Sequence, residues 1–115
     1  MAKNIEIVKP ITLEIGDKTY TLEFNRNSVM SAERAGLNLA DFEKMPLNTT
    51  LLLFYCSFKM HHPEMTRQQT DEIYFDILNG LTAEEIKRLG ELYNAPAKYL
   101  VHEDGAERKN AKISL

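Results

Sequence analysis

His61 and His62, with Glu64 two positions on, are the residues whose types most invite chemistry, because imidazole and carboxylate groups together bind transition metals. Neighbours on a helix point about 100° apart, however, and paired helical ligands need i, i+3 or i, i+4 spacing. No cysteine or further histidine cluster supplies the remaining ligands. The pair is read instead as a polar helix C-terminus, where imidazole meets the helix dipole favourably. Asp71, Glu72 and Asp76 invite an acid–base reading, yet nothing beside them in sequence would hold one carboxyl above another, and they are assigned to a solvated helix face. Cys56 is the sole cysteine and lies within an apolar run. It is expected to be a small buried hydrophobe in a reducing cytoplasm. No Gly-rich phosphate loop and no Ser/His/Asp spacing is present, so the chain is read as a non-enzyme with no metal site and no cofactor.

Nucleic-acid chemistry has one decoy. Ala32-Glu33-Arg34-Ala35-Gly36-Leu37 followed by Leu39-Ala40-Asp41-Phe42 has the outline of a helix-turn-helix. A recognition helix needs Arg, Asn or Gln for base edges and cations for phosphates, whereas Asp41-Phe42-Glu43-Lys44-Met45 starts acidic and stops at Pro46. The net charge of −3 points the same way, against a nucleic-acid partner. No apolar run approaches the ~20 residues of a membrane span, and Met1–Pro10 has no signal-peptide core. The expectation is a soluble cytoplasmic protein with no membrane partner.

The elements that would position these residues are organised around Leu51–Met60, LLLFYCSFKM, in which only Ser57 and Lys59 are polar. A helix apolar on every face must be covered on every face, since each exposed Leu or Phe forfeits roughly 1.5–3 kcal/mol. The uninterrupted stretch predicts a central buried helix over 48–61. Before it, Ile11-Thr-Leu13-Glu-Ile15 and Tyr20-Thr-Leu22-Glu-Phe24 alternate with period two around Gly16-Asp17-Lys18, predicting a β-hairpin over 11–24 with Ile11, Leu13, Ile15, Tyr20, Leu22 and Phe24 on one face. Asn27 or Ser28 can cap a helix over 28–35 that closes at Gly36. Ala40–Met45 is at most a short helix ahead of Pro46. Thr66-Arg-Gln-Gln69 is a capping box opening a helix over 66–79, whose apolar face is expected to combine Ile73, Tyr74, Phe75, Ile77 and Leu78. Thr82-Ala-Glu-Glu85 opens another over 82–94, with Ile86, Leu89, Leu92 and Tyr93 inward. Gly90 within it is tolerable if a neighbour approaches closely. Together these predict one α+β domain, mainly α, over 1–101: a hairpin packed on about four helices. Residues 102–115 read as a flexible polar tail in which only Ile113 and Leu115 are apolar near the end.

The order of these stretches resembles the tail assembly chaperones of long-tailed bacteriophages and related prophages. The resemblance runs from about Ile7 to Val101. It rests on Ile11-Thr-Leu-Glu-Ile-Gly-Asp-Lys-Thr-Tyr-Thr-Leu-Glu-Phe-Asn, Ala32-Glu33-Arg34-Ala35-Gly36, Leu53-Phe54-Tyr55 with Phe58-Lys-Met-His-His, Leu78-Asn-Gly-Leu-Thr, and Leu89-Gly-Glu-Leu-Tyr93 before Pro96. It implies a protein that binds the tape measure protein, or another phage tail protein, and keeps it soluble in the host cytoplasm until the tail tube polymerises. A longer product made by ribosomal frameshifting is common in that family. A holdase needs an apolar groove for an amphipathic helix. Phe42, Met45, Met60 and Met65 sit around helix ends and breaks and are the candidate partner-binding residues. The alternative is a structural head–tail joining or tail-completion subunit that self-associates into a ring through the hairpin edge.

Overall fold

The computed structural model describes residues 8–99 and 111–115. Strand β1 (Ile11–Ile15) pairs antiparallel with β2 (Lys18–Leu22), setting Ile11 opposite Leu22, Leu13 opposite Tyr20 and Ile15 opposite Lys18. Gly16 has φ 61° and Asp17 is not left-handed, the pattern of a two-residue type II′ turn whose twist matches the strands. The strands end at Leu22, two residues short of expectation, although Phe24 stays buried.

Helix α1 (Arg26–Arg34) starts earlier than the predicted 28–35. Its cap is Asn25 rather than Asn27 or Ser28. The Ser28 amide donates to Asn25 Oδ1 at 2.8 Å, and the Asn25 amide donates to Ser28 Oγ at 2.8 Å, a reciprocal box built with Ser at its third position. The helix closes at Gly36, φ 98°, with the Leu37 amide donating to the Ala32 carbonyl and the Gly36 amide to that of Glu33. Leu37 and Ala32 are both buried, which completes the Schellman arrangement. A four-residue 3₁₀ turn, Leu39–Phe42, stands where a helix-turn-helix would need its second helix.

Helix α2 runs Pro46–Phe58 rather than 48–61. Pro46 is its first residue, where the missing N–H costs nothing and the fixed φ suits the helix. The far end stops at Phe58 because the Lys59 amide tightens onto Cys56 and Pro63 restricts His62. Leu51, Leu53, Phe54, Cys56 and Phe58 are buried, and β2, α1, α3 and α4 all pack on this helix. Edge-to-face rings tie it to its neighbours, Phe54 to Tyr74 (5.6 Å) and Phe58 to Tyr20 (5.6 Å), while Phe54 and Phe58 stack edge-on within the helix (5.0 Å).

The predicted helix over 66–79 is α3 (Arg67–Glu72) followed by a π-helical turn, Ile73–Ile77. Its Thr66–Gln69 capping box is present. The Leu78 amide then reaches back five residues to the Ile73 carbonyl at 2.9 Å. The extra residue gives Leu78 the inward place that Ile77 would hold in a regular helix. Ile73 and Tyr74 are buried as expected, whereas Phe75 and Ile77 face outward, contrary to expectation. Helix α4 (Ala83–Asn94) carries the Thr82–Glu85 box and buries Leu89, Leu92 and Tyr93. Pro96 falls in a closing 3₁₀ turn, Ala95–Tyr99. The result is the α+β, mainly α architecture of a hairpin on four helices. The expected domain limits at 1 and 101, and the tail from 102 to 110, lie outside the described residues. Residues 111–115 are exposed and carry no regular structure.

Candidate binding surface

Helix α2 separates the four residues singled out for partner binding. Phe42, half-buried, ends the 3₁₀ turn, and Met45, 49% exposed, precedes Pro46 at the start of α2. Met60, half-buried, and Met65, 8% exposed, follow its other end. Fifteen residues of mostly helical rise put Met45 and Met60 about 20 Å apart, so the four form two groups.

One of these groups borders a groove. Between the hairpin turn and α3 lies a depression of about 590 Å3, floored by Tyr20, Met65 and Ile73 and rimmed by His62, Gln69, Glu72 and Ile77. Ile77 is 55% exposed on this rim, whereas Phe75, on the same π-helical turn, is 47% exposed and lines a separate shallow depression with Arg67, Gln68 and Asp71. Neither was identified in the sequence. The signal was present but ambiguous, because five apolar residues in six exceed what one helix face can bury. A second groove of about 510 Å3 follows the outer edge of β1. Leu22, Phe54 and Leu89 form its floor, Leu78 and Leu81 its far wall, and Glu84, Glu85 and Arg88 its rim. The Arg88 guanidinium donates to the Lys9 carbonyl at 2.7 Å and ties α4 to the chain just before β1.

The histidines hold the hairpin. The Thr21 amide donates to His62 Nε2 at 2.9 Å, so that nitrogen carries no proton of its own, and the ring packs edge-on against Tyr20 at 5.2 Å. His61 Nε2 lies 2.7 Å from Glu23 Oε1. Among the described residues, no three His, Cys, Asp or Glu side chains converge as metal ligands do. Asp71 pairs with Arg67 at 3.0 Å, and Glu72 accepts from Gln68. Burial pushes the Cys56 thiol up to about 11, with Lys59 and Arg67 pulling it partly back. Burial likewise raises Tyr93, aided by Glu33 and Cys56. Both groups are held protonated and inert by the core, away from either groove. Among the described residues no helix is long and apolar enough to cross a membrane.

A family profile described as a domain of unknown function, DUF5055, matches residues 1–115. The chain belongs to this family. The DUF5055 match spans the hairpin, all four helices and the C-terminal residues alike. No curated protein and no solved structure matches significantly.

Proposed function

We propose that this DUF5055 protein is a non-enzymatic tail assembly chaperone of a long-tailed phage or prophage, acting in the host cytoplasm to bind the tape measure protein and keep it soluble. The reading starts from the ordered resemblance in the hairpin and helices. The observation that carries it further is Ile77, turned outward on the rim of the α3 groove. An exposed apolar side chain on the rim of a groove with an apolar floor suits the apolar stripe of an amphipathic helix. Met65 belongs to the floor of that groove, whereas Phe42 and Met45 lie beyond the opposite end of α2.

The test is co-expression with the tape measure protein encoded in the same tail module, followed by affinity capture and a solubility assay. The tape measure protein should move to the soluble fraction and co-elute. If it remains insoluble and nothing co-elutes while the DUF5055 chain is folded, the chaperone reading is lost.

A further inference from the structure

The two long edges of the hairpin are treated differently. With a two-residue turn, the pairs Ile15–Lys18, Leu13–Tyr20 and Ile11–Leu22 exchange the ladder hydrogen bonds. The backbone groups of Thr12 and Glu14 therefore point away from β2, and those of Thr19, Thr21 and Glu23 point away from β1. On the β2 side two of the three outward amides are taken: Thr21 donates to His62 Nε2, and Glu23 donates to the Ser57 carbonyl at 3.0 Å. On the β1 side, nothing among the described residues bonds the outward groups of Thr12 and Glu14. Beside that open edge runs the 510 Å3 groove, with Leu78, Leu81 and Leu89 positioned under a strand lying about 4.8 Å from β1.

We propose that this edge accepts the C-terminal segment of a second copy of the chain, residues 111–115, as an added antiparallel strand. The sequences match position by position. Setting Leu13 opposite Ile113 places Ile11 opposite Leu115 and Thr12 opposite Ser114, and it brings Glu14 face to face with Lys112. Both apolar pairs then lie on the groove side, and the hydroxyl and charged pairs lie on the wet side. Thr12–Ser114 and Glu14–Lys112 are also the pairs whose backbone groups meet, which satisfies the open edge. A parallel strand with Leu13 opposite Ile113 puts Lys112 opposite Thr12, and sliding the antiparallel strand by two puts Leu115 opposite Lys9. Of these three arrangements the matched register alone pairs the opposite charges directly.

The segment is available for this. Ile113 is 66% exposed, Leu115 is fully exposed, and their i, i+2 spacing is that of one strand face. From Tyr99 to Ala111 the chain can extend up to about 40 Å, enough to cross to a neighbouring molecule. Because the end of α2 closes the β2 edge at Thr21 and Glu23, each copy takes one strand and gives one. Reciprocal exchange closes a dimer, and head-to-tail exchange closes a larger ring. This inference does not depend on the chaperone reading.

Sedimentation equilibrium of the full chain tests it. The wild-type protein is expected to associate to a multiple of 13.2 kDa. Glu14→Lys and Lys112→Glu, both at exposed positions, should each weaken association about tenfold, and the double charge swap should restore it. Thr12→Pro, which removes an outward amide and spares the β1–β2 ladder, should abolish association while the circular dichroism spectrum is unchanged. A monomer at millimolar concentration overturns the proposal, including one whose own residues 111–115 are protected from protease. Association indifferent to both charge reversals overturns it as well.

Discussion

At Gly90, in the middle of α4, a side chain is missing where one would fit. A Cβ built there meets nothing nearer than Leu39 Cδ1 at 4.0 Å, ordinary van der Waals contact. The residue is not in a left-handed conformation, so its flexibility costs helix stability without serving the backbone. Gly90→Ala is expected to stabilise the fold by about 0.5–1 kcal/mol, read as a raised denaturation midpoint at constant slope. Cys56 gives a second residue-scale prediction. Its thiol rises from an ordinary 9.0 to about 11 on folding, so the folded state favours the protonated form. Below the unfolded value that preference adds nothing further to gain. Above it, stability falls as pH rises toward about 11, by an amount on the order of 2 kcal/mol, and Tyr93 acts in the same direction. Chemical denaturation at rising alkaline pH should show the loss, and Cys56→Ala should remove part of the slope. Thiol-directed reagents should label Cys56 only on unfolding, since the thiolate is the reactive species.

Between elements, the link that matters most is the end of α2 against the edge of β2. A two-stranded hairpin alone is marginal in water, and here the Thr21 and Glu23 amides on the β2 edge are closed by His62 and by the carbonyl of Ser57. His62→Ala leaves the Thr21 amide without its acceptor and removes the ring from Tyr20. The expected loss is about 1–3 kcal/mol, with amide exchange accelerated at Thr21 before the helices open. None of this was legible in the sequence, where the two histidines read as a helix terminus and their partners lay some forty residues away. The caps at Thr66 and Thr82 were legible, because a capping box is complete within four residues. Asn25 was missed although its box is equally local, because Ser rather than Glu or Gln returns the bond. The π-helical turn was not legible at all. Ile73, Tyr74, Phe75, Ile77 and Leu78 cannot all face one core, and which two are turned out depends on what α2 and α4 leave room for.

On the scale of the whole molecule, the candidate surface moved for the same reason. Met60 and Met65 were chosen by side-chain type and by their place after a helix. That reasoning finds a helix end but not the side it presents, and Met65 proves to be buried under the α3 groove. Placing Glu at Met65 would bury an unpaired charge and cost several kcal/mol, so lost binding would report unfolding. Ile77 separates the two effects. It is 55% exposed, and Ile77→Ser should cost only about 1 kcal/mol and leave the protein folded. If the groove seats an apolar helix stripe, Ile77→Ser should lower capture of the tape measure protein at least tenfold while the circular dichroism spectrum is unchanged, and Phe75→Ser, away from the groove, should lower it much less. Met45→Ser, on the other end of α2, should leave capture unchanged. The opposite pattern, with capture lost at Met45 and retained in the Ile77 variant, would move the binding face about 20 Å to the N-terminal end of α2.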